Sequence, residues 1–322
     1  MLRVLSEFQL KIAGFIAAAF ILLIVPPFLP SYWLTILIQM LIFGILAMSL
    51  DVLMGYTGLA SFGHCAYFGT SAYVVAILSA RYKVGFLGCV SSGIFSAVFI
   101  AALFGLLLAH TEGVYFLMIT LALGMVIFGL AFRWVSMTGG DNGIAGIYRP
   151  DIGLPVSLDE PIVFYYLVLI VFLITLFCLY VFLRSPFGQS LLGIRESEAR
   201  MRNLGYNTWL HKYLAFIVAG GFSGVSGILW AYYNGFVSPM DVELTASFET
   251  FLMVILGGAG TLIGPAIGAG LIVFLKNFIS SYTERWLLII GAIYILTIMY
   301  APGGLGGLVK SLVKGGGGEK EK

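Results

Sequence analysis

The sequence predicts an all-α, polytopic membrane protein of about ten membrane segments, some broken or re-entrant, with cytoplasmic N- and C-termini. Three observations carry that expectation. Of 322 residues, 60% are hydrophobic and only 10% charged, and the mean hydropathy of +1.04 lies well above that of water-soluble domains. Apolar runs of bilayer-spanning length recur from Ile12 to Tyr300. The charged residues fall unevenly into the connections, which gives the chain a sidedness. A net charge of +2, with the basic residues in short loops, excludes nucleic acid as a partner.

The elements follow in order. Arg3 and Lys11 precede the apolar run Ile12 to Val25, as in a secretory signal. Pro26, Pro27 and Pro30 stand where a small-x-small cleavage site would, so this run reads as a retained first helix in membrane lipid. Windows of roughly 20 apolar residues place helices near 12–30, 32–54, 58–80, 84–109, 112–134, 161–183 and 213–234, then a broken region at 248–280 and a last helix near 286–300. The connection 184–212 holds Arg184, Arg195, Arg200, Arg202 and Lys212, whereas 135–160 carries Asp141, Asp151, Asp159 and Glu160 against Arg149. The first is therefore expected inside and the second outside. Lys310, Lys314, Lys320 and Lys322 put the tail inside too, so 248–280 must enter and return, broken at GGAGTLIGP (Gly257 to Pro265). Arg81, Lys83, Lys276 and Arg285 then lie outside, against the rule. The whole of 1–309 reads as a single transmembrane domain that includes the 184–212 loop, followed by a flexible polar tail, 310–322.

Polar, helix-weakening residues inside this frame mark the candidate site. GYTGLASFGHCAYFGTSAY, from Gly55 to Tyr73, is crowded with glycines and hydroxyls that lipid cannot satisfy. Irregular backbone at that depth must face protein or a water-filled cavity, so the stretch is expected to line a solute path. GYTG at Gly55 and GGAG at Gly257 share a G-x-x-G start. This is either an internal inverted repeat with matching interrupted helices or the recurrence of small residues that pack membrane helices. The expected path residues are Asp51, Gly55, Thr57, Gly58, Ser61, His64, Gly257, Gly258 and Gly260. His64 lacks a second His, Cys or carboxylate at metal-ligand spacing, so a neutral, hydrogen-bonded role is favoured over a proton relay, and no metal site is expected. Asp51 reads as a cap on the break that follows it, or as a solute contact. Cys65, Cys89 and Cys178 lack CxxC spacing and read as small buried hydrophobes.

In RSPFGQSLLGIRESEARMRNLGYN, Ser185 suits an N-cap, Pro186 the first helical position and Gly205 the exit, which predicts a helix over 186–204. Phe187, Leu191, Ile194, Met201 and Leu204 share one face, opposite Gln189, Glu196, Arg200 and Asn203. Such a helix either presents its polar side to a partner or tiles the membrane surface. The loop MTGGDNGIAGI (Met137 to Ile147) is an outer gate, a contact for an external partner, or a connector, with Thr138, Gly139, Asp141 and Asn142 at its centre. No G-x-x-x-x-G-K-[ST] occurs anywhere, so the chain is not expected to hydrolyse ATP, and no catalytic residues are assigned.

Taken together, GYTGLASFGHCAYFGTSAY, GVYFLMITLALG, TGGDNGI, SPFGQSLLGIRESEARMRNLGYN, GFVSP, VILGGAGTLIGPAIGA and APGGL resemble the permease subunits of bacterial branched-chain amino acid ABC importers, specifically the second of the two paired permeases. The resemblance spans about Asp51 to Gly304. It implies a multi-pass inner-membrane subunit without a cofactor of its own, working with a second homologous permease and an external solute-binding protein. It implies also two cytoplasmic ATP-binding subunits, which would bind the ATP and Mg. Arg195, Glu196, Glu198, Ala199, Arg200 and Gly205 would then sit in a coupling segment that docks on an ATPase. Related permeases carry urea, short amides and other amino acids, which stay open as solutes. An ion-coupled secondary transporter is the alternative class, since broken helices beside Asp51 and His64 also suit Na⁺ or H⁺.

Overall fold

The computed structural model describes residues 22–149 and 158–283, with positions 285, 288, 289, 291, 292, 294, 295, 299 and 304. Most of the expected first helix, the middle of the 135–160 loop, much of 286–300 and the tail lie outside the described residues.

Among the described residues, six helices are long and apolar enough to cross a membrane and two more apolar helices are shorter, which makes the chain a multi-pass helical protein. In order they are α1 (Ser31–Asp51), α2 (His64–Ala80), α3 (Phe86–Leu108), α4 (Gly113–Arg133), α5 (Pro161–Arg184), the short polar pair α6 (Pro186–Glu196) and α7 (Glu198–Asn203), α8 (Thr208–Asn234), α9 (Leu244–Gly257) and α10 (Ile263–Ser280). α1 begins directly after Pro30, and α5 begins with Pro161, where a missing N–H costs nothing.

α1 is the buried axis, packed against α5, α8, α9 and α10, while α2 and α3 pack on α8. Two apolar cores result. One joins α1, α2, α3, α5 and α8; the other joins α1, α9 and α10. α4 is the least buried of the long helices and exposes Val114, Tyr115, Met118 and Val126.

The connections sort to two ends. At one end lie residues 55–63, the turn before Glu112, α6, α7 and the α9–α10 junction, joined by Arg195 and Lys212. At the other, a two-stranded antiparallel ribbon pairs β1 (Ile144–Ala145) with β2 (Phe236–Val237). Arg149 ties that end further by donating to the carbonyls of Leu158, Asp159, Tyr232 and Tyr233. The ribbon was not expected of an all-α chain; it satisfies loop backbone that no helix takes up.

Four expectations need correction. The helix expected over 58–80 starts only at His64, because α1 runs into a π-helical turn, Val52–Thr57, that Gly58 closes with φ +79°. The helix expected from 213 starts at Thr208. Lys212 ended the apolar window, yet its paired ammonium is buried, so the helix runs through it. The helix expected over 186–204 is two helices, since Ser197 is extended and its hydroxyl caps the second by accepting from Arg200 N. Leu204 falls past that second helix and is exposed. Cys65 and Cys89 are buried as expected, but Cys178 is exposed on α5.

Candidate functional site

The two expected breaks meet, and a carboxylate joins them. Asp51 ends α1 fully buried. It does not cap the break that follows it. Its Oδ1 accepts from Gly260 N at 2.7 Å and its Oδ2 from Leu262 N at 3.2 Å, in the α9–α10 junction. These are charge-assisted bonds to amides that would otherwise have no partner at a helix start.

The surrounding residues fit that grip. A Cβ at Gly55 would collide with Asp51 Oδ1 and Gly260 N, so only glycine admits the approach of the two breaks. In the junction, Gly258, Gly260 and Leu262 have φ of +101°, +82° and +60°. For leucine this is a strained conformation, and Asp51 holds its amide there. Thr261 Oγ1 donates to Gly258 O at 2.7 Å and accepts from Gly264 N at 3.1 Å, and so fastens the first turn of α10.

The polar segment α6–α7 reaches into the same place. Ser185 caps α6 by accepting from Gly188 N at 3.2 Å, and Leu191 and Ile194 bury its inner face. Arg195, exposed overall, turns its guanidinium inward, where Nη1 donates to Gly55 O. A Cβ at Gly58 would stand 3.0 Å from Arg195 Cγ, and one at Gly260 would stand 3.1 Å from its Nη1. One side chain therefore touches both breaks.

Glu198 also turns inward. It accepts from the buried Lys212 Nζ, from Thr208 Oγ1 at 2.8 Å and from Arg202 Nη2 at 3.0 Å. Lys212 Nζ pairs as well with Glu112 at 3.1 Å, at the foot of α4. Partial burial pushes the Glu198 carboxyl up. Its hydrogen bonds and the adjacent ammonium outweigh this and bring it down to about 2. Glu196, Ala199, Arg200 and Gly205 are exposed and leave an outward surface on α6–α7. Gly205 has φ +89°, as the expected helix exit requires. Lys212 and Glu112 were not expected at this site. An unbroken carboxylate–lysine spacing does not mark them, because they come from two different helices.

The remaining expected path residues bind within the chain. Thr57 Oγ1 donates to Val52 O at 2.9 Å, closing the wide turn. Ser61 Oγ accepts from Gly63 N at 3.3 Å. His64 is buried, its Nε2 2.8 Å from Ser49 Oγ, in keeping with the hydrogen-bonded role expected of it. Gly257 lies against Gly264 where α9 crosses α10. At the ribbon end, the buried Thr138 Oγ1 donates back to Ala131 O in the last turn of α4 at 2.6 Å. Gly139 has φ +80°, and Asp141 and Asn142 stand exposed. A crevice of about 630 Å³ opens among α3, α5 and α8 beneath Arg149, walled by apolar residues such as Phe86, Ile94 and Leu229, and lies away from the breaks. Among the described residues, no group of three or more His, Cys, Asp or Glu is placed to hold a metal ion.

Known proteins give this arrangement a context. The family described as "Branched-chain amino acid transport system / permease component" matches residues 32–298. The chain is 28% identical over 314 residues to the high-affinity branched-chain amino acid transport system permease protein LivM of Escherichia coli K12, covering 90% of this chain and 74% of that protein. It is 25% identical over 283 residues to LivH of the same organism, covering 82% of this chain and 90% of that protein. A probable LivM of Methanocaldococcus jannaschii is 29% identical over 181 residues, covering 51% of this chain and 52% of that protein. No solved structure matches. With the matched span taking in both helix breaks and the α6–α7 segment, the chain belongs to the family of branched-chain amino acid transport permease components.

Proposed function

We propose that this chain is the transmembrane permease subunit of an ATP-driven importer that translocates branched-chain amino acids delivered by an external binding protein. The observation that carries the reading is the meeting of two helix-to-helix turns, α1–α2 and α9–α10, held by Asp51 and touched by Arg195 of a polar surface segment. The helix ends that meet there carry partial charges of both signs, which suit the carboxylate and ammonium of a zwitterion.

On this reading, the α6–α7 end is cytoplasmic and the ribbon end external. The eight apolar helices, with the first and last apolar runs of the sequence, make ten segments and place both termini inside. Residues 1–309 then form one permease domain. The exposed surface of Glu196, Ala199, Arg200 and Gly205 docks a cytoplasmic ATPase, one of two that bind ATP and Mg. Asp141 and Asn142, with Thr138 and Gly139 shaping their loop, meet the binding protein. The path runs beside Gly55, Thr57, Gly58, Ser61, His64, Gly257, Gly258 and Gly260 and is completed by a second homologous permease. Relatives named for two different permeases of one system, LivM and LivH, support that pairing.

The test is to purify the chain with its native companions, place the complex in vesicles with ATP inside and out, and follow labelled leucine. Uptake that requires ATP and the binding protein is expected. Uptake of urea or a short amide in preference to leucine would change the solute. Uptake by this chain alone, driven by an ion gradient and indifferent to ATP, would overturn the reading.

A further inference from the structure

We propose that Arg195 is a positioning residue that ties both helix breaks to α6, so that a displacement of α6 moves the two breaks together. This rests on the reading above, in which α6–α7 faces an ATPase. It adds the residue through which motion passes from that surface to the path.

The geometry is specific to this one side chain. Arg195 follows Ile194, whose burial fixes α6 against the core, and precedes Glu196, which faces away. Its stem crosses Gly58, where a Cβ would stand 3.0 Å from Cγ. Its guanidinium then donates to Gly55 O and lies at Gly260, whose amide is bound on its other side by Asp51 at 2.7 Å. Three glycines, two from one break and one from the other, thus form a slot that a planar, forked side chain fills. A guanidinium can hold one carbonyl and still lie against a second backbone segment, whereas an ammonium is a point charge with one short reach. Gly55 O lies in the last turn of the π-helical Val52–Thr57, where carbonyls run short of helical donors, and Arg195 supplies one.

The experiment uses the full complex purified with this chain, reconstituted with its binding protein, and reads labelled leucine uptake and ATP hydrolysis on the same vesicles. Arg195→Ala is expected to keep hydrolysis within about twofold while uptake falls at least about tenfold, the scale of one lost bond to a charged group. Arg195→Lys is expected to regain part of the uptake per ATP, and it carries the same ratio test if the alanine variant does not assemble. Combining Arg195→Ala with Asp51→Asn is expected to cost no more uptake per ATP than the worse single change, since both act on one junction. Equal falls of hydrolysis and uptake, unchanged uptake per ATP, or losses that multiply in the double variant would each overturn the proposal. Absence of ATP-dependent leucine uptake in the unaltered complex would instead remove the reading on which it rests.

Discussion

The two helix breaks reach similar ends by different means. The one after Asp51 is largely self-sufficient: a wide turn is closed by Thr57 on Val52 O, Leu59 N returns to Leu53 O at 2.9 Å, and Phe62 N donates to Thr120 of α4. The one after Gly257 is dependent. Its backbone takes positive φ at two glycines and a leucine, and two of its amides are satisfied by a carboxylate from the other break. The difference teaches that the pair is a hierarchy, in which the first break is held by its own turn with α4 and α6, and its carboxylate in turn holds the second.

The sharpest way to break that order is Gly55→Val. The new side chain occupies the space of Asp51 Oδ1 and Gly260 N, severing both amide bonds at about 1.5–3 kcal/mol each. Loss of leucine uptake and the largest fall in thermal midpoint are expected, read on the purified complex. Asp51→Asn comes next: the site keeps its shape but loses the charge that grips the junction, at about 2–3 kcal/mol. Protease cleavage should then appear at 258–262 before 55–63; cleavage at 55–63 first would invert the hierarchy.

Glu198→Gln probes the brace outside both breaks. A carboxyl lowered to about 2 contributes stability that is full above its ordinary 4.5 and lost as pH falls through about 2. The difference in thermal midpoint between the unaltered protein and Glu198→Gln should therefore be constant from pH 8 to 5 and shrink below, by about 1–2 kcal/mol after solvent screening. The glutamine variant should start lower and lack that acid step. Gly260→Ala adds about 1–2 kcal/mol of left-handed strain and crowds Arg195 Nη1 and Gly55 O, each 3.1 Å from the new Cβ, without blocking Asp51, so reduced but measurable uptake is expected. Thr57→Val, which removes one hydroxyl bond from the self-sufficient break, should cost about 1 kcal/mol and leave uptake nearly unchanged.

The breaks were legible in part, because glycines and hydroxyls in an apolar run weaken a helix there, although residues 58–63 still read as helical. So were the cap at Ser185 and the exit at Gly205, which are local chemistry. The partners were not. Asp51 grips amides some two hundred residues away, and no local pattern announces a contact between the ends of two separate helices. Arg195 reads from its neighbours as a surface cation, since only the slot left by Gly55, Gly58 and Gly260 turns it inward. Lys212 stopped an apolar window that burial and two carboxylates allow the helix to ignore.

The ribbon end has its own consequence. β1 and β2 stitch the loop after α4 to the end of α8, and the Arg149 guanidinium crosses from that loop to the approach to α5. At the opposite extremity α4 and α8 are clasped by the Lys212–Glu112 pair at 3.1 Å, so the ribbon acts as a hinge and the ion pair as a latch. Paired spin labels on α4 and α8 should accordingly report nearly fixed spacing beside the ribbon, and near Glu112 and Lys212 a spacing that widens when Lys212→Met removes the latch.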